Sequence, residues 1–103
     1  MSATTIKEEL APLIEEVIRN ITSNEFTTYA FMTAFARFQE KAYVKALHAN
    51  LDHPAGPFGA VKEILEKLLE EGGKASKLRD GARDMDMFGL PSVTILWQRK
   101  LGD

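Results

Sequence analysis

Six cations crowd the C-terminal third of the chain: Lys74, Lys77, Arg79 and Arg83, then Arg99 and Lys100. Gathered on one edge, such groups grip phosphate, because they displace condensed counterions and form charge-assisted hydrogen bonds. Lys62 and Lys67, in the helical segment just before them, could extend the same surface. Asp80, Asp84 and Asp86 lie among these cations and dilute their field, so a plain solvated hairpin is the competing reading. Met85, Met87 and Phe88 form a second group, three large apolar side chains close together. Exposed, they would offer an adaptable contact surface to a partner protein; folded inward, they would be core.

Other chemistry is ruled out residue by residue. Asp84-x-Asp86 followed by Gly89 opens like a calcium loop, but Phe88 takes a ligand position and Ile95 stands where the closing carboxylate belongs. His48 and His53 are spaced off a common helix face, and Pro54 puts the second in a loop, so no metal site is expected. No serine or threonine sits in a nucleophile-elbow setting and no glycine-rich phosphate loop is present. The chain therefore reads as a binding module with no catalytic residue and no small-molecule cofactor.

Composition bounds the rest. The 103 residues, 45% hydrophobic and 27% charged, suit a single globular domain. Thirteen basic and fifteen acidic side chains leave a net charge of −2, so no global field draws the protein to nucleic acid. The absence of cysteine excludes disulfides and thiolate chemistry. No apolar run reaches the roughly 18 residues of a membrane span. Met1-Ser2-Ala3-Thr4-Thr5 lacks the basic and apolar regions of a secretory leader, so a cytoplasmic protein with no membrane partner is expected.

Several elements must position these groups. Ile6, Leu10, Leu13, Ile14, Val17, Ile18 and Ile21 recur at helical spacing, with Thr5 and Glu8 as a capping pair and Pro12 as a kink or a break. Thr27 or Thr28 can cap a second helix along Phe31, Phe35 and Phe38. Val44, Leu47 and Leu51 then lie on the opposite side, which predicts two helices meeting near residues 39–41. Pro57 opens a further helix whose face is Phe58, Val61, Ile64, Leu65, Leu68 and Leu69, closed by Gly72-Gly73. Val93, Ile95 and Trp97 alternate as a strand, with residues 74–79 as its partner and a long loop over 80–91 between them. Phe31, Phe35, Phe38, Val61, Leu65, Leu68, Ile95 and Trp97 are the expected core.

The run Val61-Lys62-Glu63-Ile64-Leu65-Glu66-Lys67-Leu68-Leu69-Glu70-Glu71-Gly72-Gly73, followed by Lys77-Leu78-Arg79-Asp80-Gly81 and Val93-Thr94-Ile95-Leu96-Trp97, resembles the winged helix-turn-helix family. The resemblance covers roughly residues 40–100 and implies three or four helices with a C-terminal hairpin of two antiparallel strands. It also implies a recognition helix before the glycines, a wing in the hairpin, and DNA binding in transcription regulation. One feature of the residues opposes it: Glu63, Glu66, Glu70 and Glu71 outnumber Lys62 and Lys67 on that helix and repel phosphate. Two functions therefore compete. One is a DNA-binding module using Lys62, Lys67, Lys74, Lys77, Arg79 and Arg83. The other is a protein-interaction or homodimerisation module using the acidic helix with Met85, Met87 and Phe88.

Overall fold

The computed structural model describes residues 3–100. An interrupted N-terminal helix comes first: α1 (Ala3–Leu10), a 3-10 turn (Ala11–Leu13) and α2 (Ile14–Arg19). Pro12 lies in the 3-10 turn, the break its missing N–H and ring clash demand. The helix already runs at Thr5, so that residue does not start it, and its expected capping side chain lies outside the described residues. Ile6, Leu10, Ile14, Val17 and Ile18 keep one buried stripe through the break.

A short strand β1 (Glu25–Thr27) leads into α3 (Thr28–Phe38). Thr27 caps α3, its hydroxyl oxygen accepting from the Ala30 N–H at 3.1 Å. The backbone then leaves helical geometry at Gln39, with φ −130° and ψ 53°, and α4 (Glu40–Ala49) follows. The two-helix reading of this region is thus correct, but its buried faces are not. Phe38 is 44% exposed, because the hinge at Gln39 turns the end of α3 away from the core. In α4 the inward residues are Tyr43 and Ala46, while Val44 on the helix and Leu51 in the turn after it face solvent.

Helix α5 (Gly56–Gly72) has Pro57 in its first turn and buries Val61, Ile64, Leu65, Leu68 and Leu69. Gly73 ends it at φ 72°, a left-handed conformation that any β-carbon would strain. Strands β2 (Ala75–Met85) and β3 (Pro91–Arg99) form the hairpin. The sheet has three antiparallel strands in the order β1-β3-β2, not the two expected, because β1 pairs with β3 through Phe26 and Trp97.

The hairpin is also longer than the alternation of residues suggests. Its register slips between Lys77 and Arg79 and again between Arg79 and Ala82, and Gly81 takes φ 70° in the second irregularity. Extra residues of this kind bend a strand and increase its twist. The expected long loop shrinks to a turn at 86–90, where the Asp86 carboxylate accepts from the N–H groups of Phe88 and Leu90. Trp97 is fully buried; Ile95 is only half-buried because the inward face of β3 passes from Trp97 to Thr94, which is buried in its place.

An aromatic series, Phe26, Phe31, Phe35, Tyr43 and Phe58, crosses the core with successive ring centroids 5.9–6.5 Å apart. Tyr43 is the discordant member, since its buried hydroxyl has no partner among the described residues and burial pushes its pKa up to about 12. Because burial raises the folded value above the ordinary 10, the fold resists ionisation of this phenol, and stability falls as pH rises from 10 through 12. Tyr43→Phe should therefore flatten the alkaline loss of stability in that window, read as urea midpoints against pH. It should also leave the midpoint at neutral pH unchanged or higher, because an unpaired hydroxyl is removed.

Candidate nucleic-acid interface

Charge divides along the chain. Residues 74–100 carry six basic and three acidic side chains, whereas residues 1–73 carry seven basic and eleven acidic ones. The positive side of this division lies on the hairpin, and its geometry decides which cations remain available to a ligand.

Three of the six expected contact residues are held by carboxylates. Lys74 Nζ lies 3.0 Å from Glu15, which holds that carboxyl below its ordinary pKa. Lys77 Nζ is 2.9 Å from Asp80, and this hydrogen bond raises the lysine's pKa, with Glu70 and Glu66 of α5 adding to the attraction. Both ion pairs are exposed at the surface and are worth little in stability, so phosphate can compete for these lysines.

Lys62 is different, because it belongs to a chain of contacts rooted in the core. The buried Trp97 indole N–H donates to Thr28 Oγ1 at 2.9 Å, and the Thr28 hydroxyl donates to Glu66 at 2.9 Å. Glu66 in turn lies 3.4 Å from Lys62 Nζ, which sits 5.5 Å from the centre of the Tyr29 ring. Each polar group in this series is satisfied, so Lys62 serves the packing of α5 against α3. Lys67 is exposed on α5 without an ion-pair partner among the described residues, but Glu63, Glu70 and Glu71 are exposed around it. Helix α5 therefore offers no positive face.

Arg79 and Arg83, in strand β2, are exposed with no carboxylate within ion-pair distance among the described residues, and Lys100 is exposed just after β3. The neighbouring acids are engaged: Asp80 with Lys77, Asp84 with the Thr27 hydroxyl, and Asp86 with its own turn. Arg99 is committed elsewhere, donating to the Ile21 carbonyl at 2.6 Å.

The ribbon that carries these arginines is anchored. Across its outer half, Ala82 pairs with Thr94 and Asp84 with Ser92, and this face packs inward. Ser92 meets the Tyr29 hydroxyl at 3.2 Å, and the Thr33 hydroxyl donates to Met87 sulfur at 3.6 Å. Phe88 stacks edge-on against Phe58 of α5 at 4.9 Å. A small cleft of about 150 Å³ remains between Tyr29, Phe58, Lys62 and the turn.

The three apolar residues expected to act together are thus divided. Met87 is half-buried against the core and Phe88 leans on Phe58, while Met85 lies in strand β2 and points outward. Outward with Met85 are its cross-strand partner Pro91 and, two pairs along, Val93 opposite Arg83. Val93, Leu90 and Pro91 are exposed residues missing from the sequence-based site. The alternation of Val93, Ile95 and Trp97 places Val93 inward, whereas the strand buries Thr94 and turns Val93 outward. His53 has a local role, its ring nitrogen accepting from the Ala55 N–H at 3.0 Å. No helix among the described residues is long and apolar enough to cross a membrane. No protein-family model, no curated protein and no solved structure matches this chain.

Proposed function

We propose that this chain is a non-enzymatic binding module of winged-helix type that grips the backbone of duplex DNA with its hairpin. The observation that carries the reading is the concentration of positive charge on residues 74–100, with Arg79 and Arg83 exposed and unpaired among the described residues. The passage of α5 through Gly73 straight into the hairpin supports the winged-helix part of the reading. Helix α5 takes a supporting role here, because its carboxylates repel phosphate and Lys62 is bound to Glu66. Binding is then weak in sequence preference, since phosphate contacts position a protein without reading bases.

A second reading has its own observation. Met85, Leu90 and Val93 are 55–60% exposed on the outer hairpin, an apolar patch that a partner protein or a second copy of this chain would bury. Two double variants separate the readings. Arg79→Ala with Arg83→Ala should weaken binding of a labelled mixed-sequence duplex by about tenfold or more, whereas Met85→Asp with Val93→Asp should leave it within about threefold, as no phosphate contact is lost. If light scattering instead shows a wild-type dimer that the aspartate variant dissolves, and no duplex is captured, the patch is the functional surface.

A further inference from the structure

We infer that the outer face of α4 is a docking surface for an acidic amphipathic helix of a partner protein, independently of the hairpin's ligand. The face is unpartnered: Val44 and Leu51 are 57% and 58% exposed, although both are large and apolar. Glu40, Lys41, Val44, Lys45 and His48 line one shallow depression of about 490 Å³.

The arrangement of charge selects the occupant. At about 100° per residue, Val44 projects about 60° from Lys41 on one flank of the helix, and Leu51 follows in the turn after Asn50, whose φ of −120° and ψ of 25° end the helical phase. Lys41 and Lys45 lie within about 40° of each other on the other flank, with His48 between the two sets. Arg37, at the end of α3, adds a guanidinium that has no carboxylate partner among the described residues and lies 5.6 Å from the centre of the Phe38 ring. Lys41 is likewise unpaired there, and Lys45 holds only the exposed Glu9, at 3.2 Å. A partner helix that matches this face carries leucine-type residues along one edge and carboxylates along the next. It covers the apolar flank and exchanges water for ion pairs at Lys41 and Lys45. Helix-in-groove recognition reads such anchors at every third and fourth position. Helix α4 presents Lys41, Val44, Lys45 and His48 over about two turns, with Leu51 in the turn that follows.

The probe is a fluorescein-labelled synthetic helix of Glu, Ala and Leu, with leucines at alternating third and fourth positions. An isomer of identical composition, with the leucines spread around the helix, is the control. The wild-type protein should bind the probe and bind the isomer at least about tenfold more weakly, because only the probe fills both flanks. Val44→Asp and, separately, Lys41→Glu with Lys45→Glu should each weaken the probe by about tenfold or more, the scale of a lost interface anchor. Arg79→Ala with Arg83→Ala should not change it. All these positions are exposed or half-exposed at the surface, and circular dichroism verifies that the variants fold. Equal binding of probe and isomer would overturn the inference, as would binding that depends on Arg79 and Arg83 alone. So would a wild-type dimer in sedimentation that Val44→Asp dissolves, or adsorption to anionic phospholipid vesicles in place of the probe.

Discussion

Trp97→Ala should cost about 3–5 kcal/mol, a large part of the 5–15 kcal/mol that holds a domain of this kind together. The indole is fully buried, pairs with Phe26 across β1 and β3, and donates to Thr28. Alanine removes the ring, leaves a cavity between sheet and helices, and deprives Thr28 of its donor. Trp97→Phe separates these effects: most of the volume stays, the hydrogen bond goes, and the cost should fall to about 1–2 kcal/mol. Urea midpoints of the wild type and both variants measure the series. An alanine variant within 1 kcal/mol of the wild type would mean that β3 does not hold the core as described here.

Charge reversal on the hairpin is expected to have the larger effect on binding. Arg79→Glu with Arg83→Glu replaces two cations that are unpaired among the described residues by two anions on an exposed ribbon, so the fold should be unaffected. Each charge-assisted contact to phosphate is worth about 1.5–3 kcal/mol, which puts the combined loss of duplex affinity at about a hundredfold or more. The same reversal on α5, Lys67→Glu, should weaken binding far less. That helix face already carries Glu63, Glu70 and Glu71, and DNA approaching the hairpin need not touch it. Polarisation titrations of one labelled duplex with the variants give the comparison directly.

The sequence made the helices legible because each carries a long period with its own stop signal. Pro12, the phase jump after Phe38 and the pair Gly72-Gly73 all mark real boundaries. What it hid has physical causes. Strand β1 is three residues long, too short to show alternation, and exists through its pairing with β3. Strand β2 slips register twice, which erases the period of two over Lys77-Leu78-Arg79-Asp80-Gly81-Ala82 and made half of the hairpin look like a loop. Phe38 has the spacing of a core residue, but the core ends one turn earlier because the chain bends at Gln39. Among the site residues, the basic hairpin was legible from composition. The fates of single lysines were not. Lys62 and Lys67 read alike in sequence, and only the series Trp97, Thr28, Glu66 shows that Lys62 is tied to the core while Lys67 is exposed.

The hairpin's role as a phosphate grip is tested most directly by how affinity for a mixed-sequence duplex changes with salt. If Arg79 and Arg83 are joined by Lys74 or Lys77 on the backbone, a plot of log affinity against log salt should fall with a slope of about −2 to −4. The slope should be the same for unrelated duplexes, and Arg79→Ala with Arg83→Ala should reduce its magnitude by about two. No binding of the wild type at the lowest salt, or a slope that the double variant leaves unchanged, would contradict the account.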